Sequence, residues 1–122
     1  MIMSAKKVLV VDDSSIDLEN LKNVVSAAGC DVIVATSGKE AIERTKAEMP
    51  NLVLMDIVMD DIDGYGACRE ILADPNTKDI PVVFVSTKKS RADKLWAEKQ
   101  GAKDLISKPF QDEEILNVIN RY

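Results

Sequence analysis

Short apolar runs rich in β-branched residues alternate strictly with stretches of helical periodicity along this chain, and that alternation confines the fold to a narrow class. Val8 to Val11, Val32 to Ala35, Leu52 to Met55, Val82 to Val85 and the weaker Leu105-Ile106 read as five strands. Leu18, Leu21, Val25 and Ala28 recur at helical spacing behind a cap at Ser14 or Ser15, and Gly29 suits the C-terminal end of that helix. Ser37 caps a second helix, which passes through Ala41 and Ile42 and stops before Pro50. Asp63-Gly64 opens a third, carrying Ala67, Ile71 and Leu72 and ended by Asp74-Pro75-Asn76. Ser90 with Asp93 has the form of a capping box for a fourth helix that stops near Gly101. A fifth begins around Gln111 and buries Ile115, Val118 and Ile119.

Strand and helix in strict alternation imply parallel strands joined by right-handed crossovers, which put helices on both faces of the sheet. The expected fold is therefore α/β, a doubly wound, flavodoxin-like five-stranded parallel sheet. The first, third and fourth runs are the most continuously apolar and suit central strands, so the second and fifth take the edges, in the order 2-1-3-4-5. One domain over residues 1–122 is expected, with no internal repeat or linker. A net charge of −5 without a Lys/Arg-dense stripe disfavours nucleic acid and anionic membrane as partners. The start, Met1 to Lys7, reaches a strand without a leader-like pattern, and no apolar run approaches the roughly 18 residues of a membrane span. Cys30 and Cys68 read as reduced thiols, and the expected location is cytoplasmic. The absence of histidine removes the commonest general base.

The strand ends carry the chemistry. If the runs are parallel, their C-terminal ends share one rim, where Asp12-Asp13, Asp56, Ser86 and Lys108 would converge. Asp12-Asp13 alone reads first as a helix cap, because acids are favoured before a helix. Asp56 changes that balance: three carboxylates together repel one another unless a cation binds or protons are taken up. Oxygen-only ligands in an open site suit Mg²⁺ better than a calcium cage or a transition metal. Lys108 supplies the opposite charge, and Pro109 fixes the turn that would aim it toward Asp56. Ser86, a turn residue when judged alone, becomes a hydroxyl donor to a phosphoryl oxygen in this setting. The loop after the first strand has Asp12-Asp13-Ser14-Ser15 where a P-loop or dinucleotide site would place glycines, so nucleotide binding by those routes is disfavoured.

From VLVVDDS through LVLMDIVMDDIDG and PVVFVST to GAKDLISKPF, the whole chain resembles the receiver domains of two-component response regulators, above all the single-domain chemotaxis regulators. The resemblance implies that Asp56 is the phosphoacceptor and that Asp12 and Asp13 hold Mg²⁺, with Asp13 a direct ligand. It implies further that the Val58 backbone carbonyl completes the protein's share of the metal shell and that Ser86 and Lys108 engage the phosphoryl group. A cis Lys108-Pro109 bond is implied in the same way. The partners implied are a sensor histidine kinase or phosphotransfer protein, and an output protein at the face made by the fourth helix, fifth strand and fifth helix. The only catalysis implied is the chain's own phosphorylation and dephosphorylation. DKLWAEKQGAKDLISKP, with Trp96, is similar to regulators of type IV pilus twitching motility and pilus-based phototaxis.

Two positions depart from the family pattern. Asp60 stands where a proline usually follows Met59, which implies a looser, more acidic loop. Leu105 occupies the aromatic switch position of the fifth strand, so coupling through a ring that turns inward cannot operate in that form. These departures leave open a phosphorylation-independent adaptor on the same fold. An acid-pocket phosphatase is disfavoured, because Asp60 and Asp61 lie too far along the loop and no cap insertion is present.

Overall fold

The computed structural model describes residues 5–122. Part of the N-terminal stretch expected to lead into the first strand, residues 1–4, lies outside the described residues. Five strands and five helices alternate: β1 (Lys7–Val11), α1 (Ser15–Ala27), β2 (Asp31–Ala35), α2 (Gly38–Glu48), β3 (Leu52–Met55), α3 (Gly64–Ala73), β4 (Val82–Ser86), α4 (Arg91–Lys99), β5 (Asp104–Ser107) and α5 (Asp112–Arg121). All pairings are parallel, and the order is β2-β1-β3-β4-β5, as the distribution of apolar runs implies.

Alternation along each strand divides the core into two layers, because successive side chains point to opposite faces. Leu9, Val11, Val53, Met55 and Phe84 join Ala41 and Ile42 of α2, Ala67, Cys68 and Ile71 of α3 and Ala97 of α4. Val8, Val10, Leu52, Leu54, Val83 and Val85 join Leu21 and Val25 of α1 and Ile115, Val118 and Ile119 of α5. β1, β3 and β4 are buried on both faces, apart from Lys7 at the start of β1, which explains why their runs contain almost no polar residue. β5 is an edge strand, and its ends, Asp104 and Ser107, extend it beyond the apolar pair.

The caps act locally as their residue types predict. The hydroxyls of Ser14, Ser37 and Ser90 accept from the amides of Asp17, Glu40 and Asp93, three residues on in each case. Asp93 returns the contact to Ser90, completing the capping box. Gly29 closes α1 at φ +86°.

The looser loop expected from Asp60 is not what the structure shows. Between β3 and α3 the chain is tied at two points. The carboxylate of Asp61 accepts from the backbone amides of Gly38 and Lys39 at 3.0 and 2.9 Å, and the Gly64 amide donates to the Ile57 carbonyl at 2.7 Å. Asp61 thus satisfies open donors at the start of α2 and ties the loop to that helix. The amide of Lys39, with that of Gly38 beside it, holds the Asp61 carboxyl below its ordinary range. Asp61→Ala should lower stability by about 1 kcal/mol, the usual effect of losing a helix cap. Because the folded-state pKa is depressed, this contribution is present above the unfolded value of 3.8 and is lost as the pH falls through the folded value. Urea denaturation of both proteins should therefore show a gap at neutral pH that narrows in acid.

Candidate functional site

The ladder continues one residue past three strand ends and thereby sets the rim. Asp12 donates its amide to the Ala35 carbonyl at 3.2 Å, Asp56 to Val11 at 3.0 Å and Lys108 to Ser86 at 2.9 Å. Residues on separate strands are thus fixed at one level before their side chains are considered. Three carboxylates meet there: oxygens of Asp12, Asp13 and Asp56 all lie within 4.8 Å of one another, with Asp12 and Asp56 buried and Asp13 exposed.

Each buried acid has partners. One oxygen of Asp12 accepts from the Ser14 amide at 2.9 Å and the other from Lys108 Nζ at 2.6 Å. One oxygen of Asp56 accepts from the Ile57 amide at 2.7 Å, with the Val58 amide farther off at 3.4 Å, and the other from Lys108 Nζ at 3.1 Å. Burial pushes the Asp12 carboxyl above its ordinary value, against the pull of Lys108. Burial also disfavours the Lys108 ammonium, but hydrogen bonds to Asp12 and Asp17 and the charge of Asp56 outweigh it, so its pKa stands above the usual lysine value. Lys108 remains a cation at any physiological pH.

Asp17 is the functional-site residue that sequence reasoning missed. From the first turn of α1 it accepts from Lys108 Nζ at 3.0 Å, so one ammonium serves three carboxylates. Nothing in the local pattern distinguishes this acid from any other in a first helical turn, where the dipole favours it. With Asp13, the rim holds four carboxyl groups against that one lysine.

The remaining expected residues fall where their strand ends place them. Ser86 is fully buried, and its hydroxyl oxygen accepts from the Lys88 amide at 3.2 Å. The Lys108-Pro109 bond is cis. Val58 is half-exposed at the edge of the cluster, 51% accessible. Leu105 is buried, opposite Phe84 in the β4–β5 pairing, and does not join the polar cluster. A groove of about 500 Å³ opens beside Lys108, bounded by Asp17, Asn20, Thr87 and Phe110. Cys30 and Cys68 are both free; Cys68 is fully buried, and burial pushes its thiol up to about 12.

A model of the response regulator receiver domain matches residues 8–120. The chain belongs to the response regulator receiver family. This receiver is 38% identical over 114 residues to Protein PilH of Pseudomonas aeruginosa, covering 93% of this chain and 94% of that one. It is 39% identical over 118 residues to the chemotaxis protein CheY of Thermotoga maritima, covering 95% and 96%. The crystal structure of the Vibrio cholerae chemotaxis protein CheY4 superimposes with a TM-score of 0.91 at 25% identity, over 97% of this chain and 98% of that one. The resemblance to single-domain chemotaxis and pilus regulators thus extends to relatives of the same length. Members of this family are signalling proteins that work through phosphorylation and interact with histidine kinases or phosphotransfer proteins. Among the described residues of this receiver, no helix is long and apolar enough to cross a membrane.

Proposed function

We propose that this receiver is a cytoplasmic phosphorylation switch of one domain, residues 1–122, in which Asp56 takes a phosphoryl group from a phosphohistidine on a partner protein. The observation that carries the reading is the convergence of Asp12, Asp13 and Asp56 with Lys108 at the C-terminal rim. A carboxylate oxygen of Asp56 attacks phosphorus, the P–N bond breaks, and its electron pair returns to the donor imidazole. Lys108, already drawn to Asp56, is placed to pair with a phosphoryl oxygen, and Ser86 can donate to another. Hydrolysis of the acyl phosphate by water returns Asp56 to its resting form, and the chain performs no other chemistry.

The donor set fits Mg²⁺: oxygen ligands only, two of them buried acids, and an exposed Asp13 on the open side. Asp13, Asp56 and the Val58 carbonyl would hold the ion, with Asp12 beside them. When bound, it supplies charge neutralisation for the transferring phosphoryl group. Asp13→Ala should weaken Mg²⁺ binding by about tenfold or more, the scale on which even outer partners act at metal sites. The same substitution relieves carboxylate repulsion, so without metal the variant should unfold no earlier than wild type. A Mg²⁺ titration followed by amide shifts, with urea denaturation at each end point, tests both statements. Unchanged affinity in Asp13→Ala would reduce the acidic pair to helix capping. Output would pass through the face of α4, β5 and α5 to a partner protein, and the likeness to PilH favours pilus-based motility as the setting.

A further inference from the structure

The chain has one tryptophan, two tyrosines and two phenylalanines, and three of these rings stand in one column. Tyr65 of α3 meets Phe84 of β4 edge-on at 5.4 Å and 82°, and Trp96 of α4 at 6.4 Å and 83°. Both distances lie within the favourable range for perpendicular rings. The column runs from a fully buried Phe84 through Tyr65 to Trp96, which is 48% exposed. Its inner end lies close to the site: Phe84 pairs with Met55, the neighbour of Asp56, and shares a sheet face with Ser86 two residues on. Its outer end lies on the helix that the loop from Ser86 to Ser90 leads into.

Tyr65 also holds that helix directly. Its hydroxyl donates to the Asp93 carbonyl at 3.4 Å, within the turn closed by the Ser90 capping box. At that length the bond is weak and easily broken. The other end of α4 is held more firmly to α3. Arg69 donates to the Gln100 side-chain oxygen at 2.7 Å and the Cys68 thiol to the Gln100 carbonyl at 3.5 Å. Between these ends Ala97 is the only buried residue of α4. A helix with so little apolar burial, anchored well at its C-terminal end and weakly at its N-terminal end, is the element of this fold most readily reseated.

From this geometry we infer that Tyr65 is a positioning residue that holds α4 in its resting seat and couples that seat to the end of β4. It performs from α3 a task that Leu105, with neither ring nor hydroxyl, cannot perform from β5. The inference rests on the phosphorylation-switch reading. Occupation of Asp56 draws on Ser86, the loop to Ser90 moves, and α4 pivots about Gln100 as the Tyr65–Asp93 bond opens.

Tyr65→Phe keeps the ring and removes the latch. The full chain and this variant are to be compared by amide shifts and Trp96 emission during titration with beryllofluoride in the presence of Mg²⁺. In wild type, the amides of Ile57 and Val58 should shift together with those of α4, and the emission should change. In Tyr65→Phe, the α4 amides should start displaced toward their beryllofluoride-bound positions, and the remaining change should shrink. Beryllofluoride should also bind more tightly, because a contact made only in the resting state opposes binding. Resting shifts, response and affinity all equal to wild type would overturn the role of Tyr65. Wild-type shifts at Ile57 and Val58 with none in α4 would overturn the coupling alone. No shift at Ile57 and Val58 would overturn the receiver chemistry and the coupling with it.

Discussion

Asp56→Asn should abolish phosphoryl acceptance while leaving the fold in place. The amide oxygen of an asparagine can still accept from the Ile57 amide, which lies 2.7 Å from the native carboxylate, so the start of the β3–α3 loop keeps its local bond. What disappears is the anionic oxygen proposed to attack phosphorus. The variant also removes one of the crowded carboxylates, so its stability without metal should equal or exceed that of wild type. Intact mass after incubation with a small phosphodonor and Mg²⁺ gives the first result, and urea denaturation the second. A full phosphoryl gain in Asp56→Asn would show that another residue is the acceptor.

Gly64→Ala should impair fold and site together. A Cβ at position 64 would lie 2.3 Å from the Asp56 carbonyl oxygen and 2.8 Å from the Ile57 Cα, both backbone atoms. Neither can rotate away as a side chain would. The Gly64 amide is meanwhile bonded to the Ile57 carbonyl, so relief must come from shifting the segment that carries Asp56. Overpacking of this kind costs about 1–3 kcal/mol, and more where backbone meets backbone. A lower urea midpoint and slower phosphoryl acceptance are expected together. Gly66→Ala is the control. Its Cβ would meet the Ile62 Cγ2 methyl at 2.9 Å, a side-chain contact away from the segment that carries Asp56, and alanine is the better helix former by about 1 kcal/mol. Equal losses in the two variants would mean that the close approach at Gly64 is not what fixes Asp56.

The fold was legible because its signals are local or periodic. β1, β3 and β4 announce themselves as runs buried on both faces, and Ser37 and Ser90 cap helices through contacts three residues away. The rim was legible for a related reason: in a parallel sheet the residue after each strand has only one edge to occupy. Asp17, Asp61 and Tyr65 were not legible in the same way. Asp17 reaches Lys108 across 91 positions and Asp61 reaches Gly38 across 23, and both depend on how one helix crosses over another element. An acid in a first helical turn, or one in an exposed loop, looks alike whether or not such a partner exists. Tyr65 sits in a helix where a ring reads simply as core, and only the placement of that ring between Phe84 of β4 and Trp96 of α4 shows that its hydroxyl reaches Asp93. The Asp60 loop shows the converse error, since the missing proline suggested slackness while the next residue supplied the tether.

Phosphoryl transfer to Asp56 is the centre of this account, and incubation of the unaltered chain with a small phosphodonor, with Mg²⁺ and with the metal chelated, tests it most directly. Intact mass followed by peptide mapping should show a single phosphoryl group on Asp56 when Mg²⁺ is present and far less when it is chelated. No gain in mass under either condition would contradict the account and favour an adaptor that works without phosphorylation, and a phosphoryl group mapped to any other residue would contradict the assignment of the site.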